Sequence, residues 1–366
     1  MNQPIYEKRL QRDYRKIIKM VAAVSTDIEK SLKNSLHALL NRDTDLAYQT
    51  ILGDNPINRQ ISEIDKKCHY FVARHLPSAG HLRFISSVLR INIGLERIGD
   101  YAVTISRETA QLSKPINSTI RRELEYMARD SFQMFNQALK AFTEQNADLA
   151  KGTMAFADNI DHTFSIIFSE LVQKGEKDVF SVQDLFSILV VLNQLERISD
   201  QAKNICEETV FSVTGQMKKK RPVKVLFLDK TNDLCGPMAT QIARKAFPES
   251  GIYQSAGSCP AEQVRPDLIE FMDQNGYNLS SEVPDEFQLT DEELSEYEVI
   301  VCLRGDYSEY VSQIPFHSVG LNWELPEPPD ENASEDEKKE SYTRILKHLV
   351  EQINTLMTTM RGEEAS

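Results

Sequence analysis

Cysteine is scarce in this chain, positive charge is outweighed, and no long apolar run occurs. The five cysteines of its 366 residues are Cys68, Cys206, Cys235, Cys259 and Cys302. Their number is odd and no Cys-x-x-Cys pair exists, so neither a disulfide framework nor a zinc knuckle is expected, and a reducing compartment is. Lysine and arginine number 42 against 55 acids, a net charge of -13. That balance argues against nucleic-acid binding, which needs a basic face to neutralise phosphates. The apolar run around Ile188–Leu192 falls far short of a bilayer span, and Met1–Arg15 has no apolar signal core. The expected location is the cytoplasm, peripheral to a membrane at most. The seven histidines form no His-Glu-x-x-His or similar ligand spacing.

What is present is a duplication. Asp45-Leu46-Ala47 recurs as Asp148-Leu149-Ala150, and Ile57-Asn58 recurs as Ile160-Asp161 at the same offset. Leu95-Glu96-Arg97-Ile98-Gly99-Asp100 recurs as Leu195-Glu196-Arg197-Ile198-Ser199-Asp200 at a slightly shorter one, which places a loop-length difference before it. There Pro77–Gly80 faces Lys174–Lys177. Each copy reads as three helices. Ile17, Val21, Val24, Ile28, Leu32, Leu36 and Leu39 make one apolar stripe; Ile120, Leu124, Met127, Ser131, Phe135, Ala138 and Phe142 make its counterpart. Asp45 and Asp148 are expected to open the second helices. Residues 214–222, with the basic run Lys218–Arg221, read as a linker. Beyond it Val223–Leu228 predicts a buried strand, a helix starts from Pro237, Tyr297–Leu303 predicts a second strand, and Tyr342–Met360 the last helix. Strands alternating with helices imply a parallel sheet. The expected fold class is therefore tandem three-helix bundles over residues 1–110 and 111–213, followed by an α/β parallel-sheet domain over 223–366.

Within each repeated segment a Glu and an Asp lie four apart, hence on one helix face: Glu96 with Asp100, and Glu196 with Asp200. Asn204 extends the second face. Asp54 and Asn58 on the second helix echo the spacing, whereas Asp161 has Ala157 before it. Paired carboxylates can share a hard cation such as magnesium, manganese, calcium or iron. An ordinary solvated acidic face has the same spacing.

Residues 1–213 resemble the PhoU family of phosphate regulators, on the tandem units, the Leu-Glu-Arg-Ile-Gly-Asp-Tyr-Ala segment, its Leu-Glu-Arg-Ile-Ser-Asp copy and the Pro77-Ser78-Ala79-Gly80-His81-Leu82-Arg83 stretch. The resemblance implies negative regulation of phosphate uptake and of phosphate-starvation signalling. It also implies docking on a phosphate ABC transporter or a sensor histidine kinase, as a homodimer. Its metal ligands would be Glu96, Asp100, Glu196 and Asp200, with Asp54, Asn58, Asp161 and Asn204 as outer candidates. The metal would be divalent or a transition ion: iron, zinc, magnesium or manganese.

Residues 223–360 resemble low-molecular-weight tyrosine phosphatases and arsenate reductases. The similarity runs through Val225–Leu228, Pro237-Met238-Ala239, Ser255-Ala256-Gly257, Pro284–Phe287 and Trp323–Pro328. Such enzymes attack phosphorus with a Cys thiolate and clamp the oxyanion with an Arg six residues on. Here those two positions hold Asp229 and Cys235, the following hydroxyl position holds Gly236, and Glu327 stands at the acid. Cysteine-based chemistry is expected to be lost, leaving a pseudophosphatase. The alternative is a phosphatase or arsenate-reductase-type enzyme, acting through Asp229 and regulated by the helical half.

Overall fold

The computed structural model describes residues 3–176, 181–217, 222–287, 290–311, 314–315, 318–330 and 333–361. The chain divides into two compact units, Met1–Lys218 and Lys219–Ser366. Lys218–Arg221 of the basic run and Lys177 of the variable loop lie outside the described residues.

The first unit is helical: α1 (Gln3–Asn41), α2 (Thr44–His75), α3 (Ala79–Gln111), α4 (Ser118–Thr143), α5 (Ala147–Met154), α6 (Ala157–Glu176) and α7 (Val182–Thr214). The apolar stripes do what their spacing predicts. Ile17, Val21, Val24, Ile28 and Leu32 of α1, and every apolar residue of the α4 stripe, are buried in one shared core, with Ser131 buried among them. Each large apolar side chain so buried contributes roughly 1.5–3 kcal/mol.

The turn after α1 and the turn after α4 are copies of each other. Arg42 (φ 54°) and Gln145 (φ 51°) are left-handed. The next residue in each turn, not Asp45 or Asp148, caps the following helix. Asp43 Oδ1 accepts from Leu46 N–H at 2.9 Å, and Asn146 Oδ1 accepts from Leu149 N–H at 3.0 Å. Asp45 and Asp148 sit inside the first turn, where a negative charge favours the helix dipole. The second repeat departs from the expected three helices, because its middle helix is broken. Phe156 N–H turns back to Thr153 O at 3.2 Å, which interrupts the four-residue ladder between α5 and α6.

The two repeats meet along α3 and α7, which run antiparallel. Ser87 Oγ donates to Glu208 O at 3.1 Å, Arg90 pairs with Glu208 at 2.9 Å, and Gly94 lies against Gln201. Those contacts bring the two Glu-x-x-x-Asp segments to the same level of the seam.

The second unit contains β1 (Val223–Leu228), α8 (Cys235–Ala246), β2 (Gly251–Ala256), α9 (Pro266–Gln274), α10 (Asp291–Leu294), β3 (Val299–Cys302), β4 (Val319–Asn322) and α11 (Glu335–Arg361). The strands are all parallel, in the order β2-β1-β3-β4. Val225, Phe227, Val299 and Val301 face one core with α8 and α11; Leu226, Leu228 and Ile300 face the other. Helix α11 starts earlier than its apolar stripe suggests, because Ser334 and Glu337 bond each other's backbone N–H groups in a capping box. Strand order reverses between β1 and β3, so the crevice at their C-terminal ends is where such sheets bind ligands. No described helix is long and apolar enough to cross a membrane.

Candidate functional site

The helical unit gathers its carboxylates in two places, one per repeat. In the first, Asp54 of α2 faces Asp100 of α3. Asn58 Nδ2 donates to Asp54 Oδ2 at 2.6 Å, while Asp54 Oδ1 and Asn58 Oδ1 are buried without a hydrogen-bond partner. Burial, then the Asp100 charge, pushes the Asp54 carboxyl above its ordinary value, against Asn58 and the nearby Arg107. A cleft of about 340 Å³ opens beside them, lined by Asp54, Asn55, Asp100, Thr104 and Arg107. Glu96 is exposed one turn before Asp100.

In the second place, Glu196 and Asp200 of α7 face Asp161 of α6. Burial pushes the Glu196 carboxyl up to about 7, with the Asp200 and Asp161 charges adding to it and Arg197 opposing. Asn204 is exposed one turn beyond Asp200. Tyr101 of α3 lies beside Arg197 and Asp200, at the seam between the two places.

The places differ in a way that explains the one variable position of the repeated segment. A Cβ at Gly99 would lie 3.1 Å from Asp54 Oδ1. The second repeat has Ala157 where the first has Asp54, and Ser199 where it has Gly99. Ser199 has room to donate to Glu196 O at 2.7 Å. Sequence reading records the Gly–Ser change but has no means of tying it to a residue on another helix.

All the converging donors are oxygens, and the first place leaves two of them unpartnered, which suits a hard cation with water completing its shell. Among the described residues neither place has a Cys or His to favour a soft metal. Among the described residues no three Asp, Glu, His or Cys side chains already stand in a metal-coordinating arrangement. Each place therefore offers carboxylate pairs rather than a closed cage.

In the α/β unit, Asp229 and Cys235 are brought together at the switch point. The Asp229 carboxylate accepts from the backbone N–H groups of Cys235 (3.1 Å) and Gly236 (3.2 Å) at the start of α8. Burial raises the Asp229 carboxyl, the Gly236 N–H opposes this, and Asp233 adds to it. Cys235 is buried, and burial followed by Asp229 holds its thiol well above the ordinary range. The rest of the loop is also internally committed. Asn232 (φ 47°) packs so closely on Gly236 that a Cβ there would sit 2.1 Å from Asn232 Oδ1. Arg265 bonds Asp233 at 2.7 Å, and Arg304 bonds Glu327 at 2.6 Å. The donors that cradle an oxyanion in a strand–loop–helix site of this kind here hold the chain's own carboxylate.

Comparison with known proteins separates the two units in the same way. The PhoU domain family matches residues 21–109 and 124–209. The low molecular weight phosphotyrosine protein phosphatase family matches residues 224–366. A phosphate-specific transport system accessory protein PhoU homolog of Pseudomonas aeruginosa is 33% identical over 189 residues, covering 51% of this chain and 78% of that protein. A homolog of the same description from Clostridium acetobutylicum is 30% identical over 217 residues, covering 59% of this chain and 97% of its own length. The crystal structure of PhoU from Pseudomonas aeruginosa superposes with a TM-score of 0.54 at 30% identity, over 56% of this chain and 99% of that one.

Proposed function

The chain belongs to the PhoU family through its helical unit, and on that premise we propose that it regulates phosphate uptake and phosphate-starvation signalling. The helical unit binds divalent metal at its two carboxylate places and docks on a phosphate transporter or its sensor kinase. Asp54, Asp100 and Glu96 hold one ion, and Asp161, Glu196 and Asp200 the other; bound metal neutralises carboxylates that otherwise repel one another. The observation that carries this reading is the pair of buried, unpartnered oxygens on Asp54 and Asn58 beside Asp100. The α/β unit serves as a non-catalytic module, since its nucleophile position holds a carboxylate that fills the anion cradle.

The test is made in cells. Removing the chain is expected to raise phosphate uptake and starvation-gene expression in phosphate-replete medium. Glu96→Gln/Glu196→Gln is expected to lose metal on elemental analysis and to fail in complementation. Unaltered uptake after removal would sink the regulatory reading, and unaltered metal content the site reading. The second reading, a phosphatase, is favoured by the family match over 224–366. Phosphatase turnover by the full chain that Asp229→Ala abolishes would replace the non-catalytic assignment.

A further inference from the structure

Helix α1 carries a charge pattern unlike the ion-paired faces of its neighbours. Lys8, Arg9, Arg12, Arg15, Lys16 and Lys19 are all exposed. At about 100° per residue they share roughly one third of the helix circumference. That arc lies opposite Leu10, Ile17, Val21 and Val24, which are buried. The row is about 16 Å long at the α-helical rise.

Elsewhere three exposed cations of the helices are offset at i,i+4. Glu29 pairs with Lys33 at 2.6 Å, Glu63 with Lys67 at 3.3 Å, and Arg121 with Glu125 at 3.0 Å. On the first turns of α1 the same spacing sets cation on cation: Lys8, Arg12 and Lys16, then Arg15 and Lys19. Such pairs disfavour a helix. Among the described residues only Arg12 of this row meets a carboxylate, that of adjacent Asp13 at 3.2 Å. A shallow groove runs between the cations, with Glu7 at its edge. Ile5 is exposed at the same end of the helix, on the same arc as the cations.

We propose that this row docks the helical unit onto anionic phospholipid headgroups, with α1 lying along the membrane surface. The chain as a whole has a net charge of -13, so the attraction comes from the row and not from the protein's overall field. A one-signed row on the exposed face of a helix meets a plane of phosphates along its length. The exposed apolar side chain of Ile5 at its end suits the headgroup boundary. The row and its exposed end are independent of the carboxylate sites.

The test is co-sedimentation of the full chain with phosphatidylcholine vesicles, with and without phosphatidylglycerol. Binding is expected only to the anionic vesicles and is expected to fall with added salt. Lys8→Gln/Arg12→Gln/Lys16→Gln is expected to bind about 100-fold more weakly at low salt, with helix content unchanged by circular dichroism. Lys218→Gln/Lys219→Gln/Lys220→Gln, which removes the other basic run, is expected to retain binding. Indifference to phosphatidylglycerol, or equal binding by the α1 variant, overturns the proposal. So does tighter, row-dependent binding of polyglutamate or DNA, which would assign the surface to a protein or nucleic-acid partner.

Discussion

Gly99 admits the carboxylate of Asp54 to the surface of α3, within 3.1 Å of where a Cβ would stand. Helical glycine is normally about 1 kcal/mol worse than alanine, so Gly99→Ala would ordinarily stabilise. Here the gain is expected to vanish or reverse in the wild type and to reappear in an Asp54→Ala background. A double-mutant cycle by urea denaturation reads the coupling, expected at about 1 kcal/mol or more. Equal stabilisation in both backgrounds would show that the approach is inconsequential.

The Glu196 carboxyl, raised to about 7, fixes the sign of a pH effect. Between pH 4.5 and 7 the folded chain holds a proton there that the unfolded chain has released. Stability from this group therefore falls as pH rises through that window, and the full cost is present above it. In chelator, wild type is expected to lose stability relative to Glu196→Gln from pH 4.5 to 7. Added divalent metal is expected to narrow the gap, because metal favours the ionised form. Parallel curves for the two proteins would contradict the shift.

Asp229→Ala removes the partner of two buried backbone donors. The expected cost is about 1–3 kcal/mol. Inorganic phosphate at constant ionic strength is expected to restore part of it, since the emptied cradle then takes an oxyanion. Wild type is expected not to respond. Equal phosphate stabilisation of both proteins in thermal melts would mean that Asp229 does not occupy the anion position.

Asp43→Ala and Asn146→Ala each remove an N-cap from equivalent turns. Both are expected to destabilise by about 1 kcal/mol, whereas Asp45→Ala and Asp148→Ala cost less because those residues only complement the helix dipole. Chemical denaturation ranks the four.

Much of the fold is legible in the sequence, because it rests on periodicity. The stripes of α1 and α4, the duplicated Glu-x-x-x-Asp faces and the buried β1 strand need only spacing to be seen. The caps lie two residues before Asp45 and Asp148, and recognising Asp43 and Asn146 depends on the left-handed turn before each. The break at Phe156 leaves no proline or paired glycine to mark it. Asp229 is conspicuous in sequence as a missing nucleophile, but its bonds to Cys235 and Gly236 arise only when the loop folds over α8. The Gly99–Asp54 approach is an inter-helix fit and has no local signature.

The antiparallel seam of α3 and α7 makes one chain do what two identical subunits would otherwise do. In a symmetric homodimer every substitution appears at both sites at once. Joined in tandem, the halves are free to drift apart, and they have: Asp54 and Gly99 on one side, Ala157 and Ser199 on the other. If both places take metal as proposed, their unequal donor sets would fill over a wider span of ion concentration than a matched pair, and a single threshold would become a graded scale.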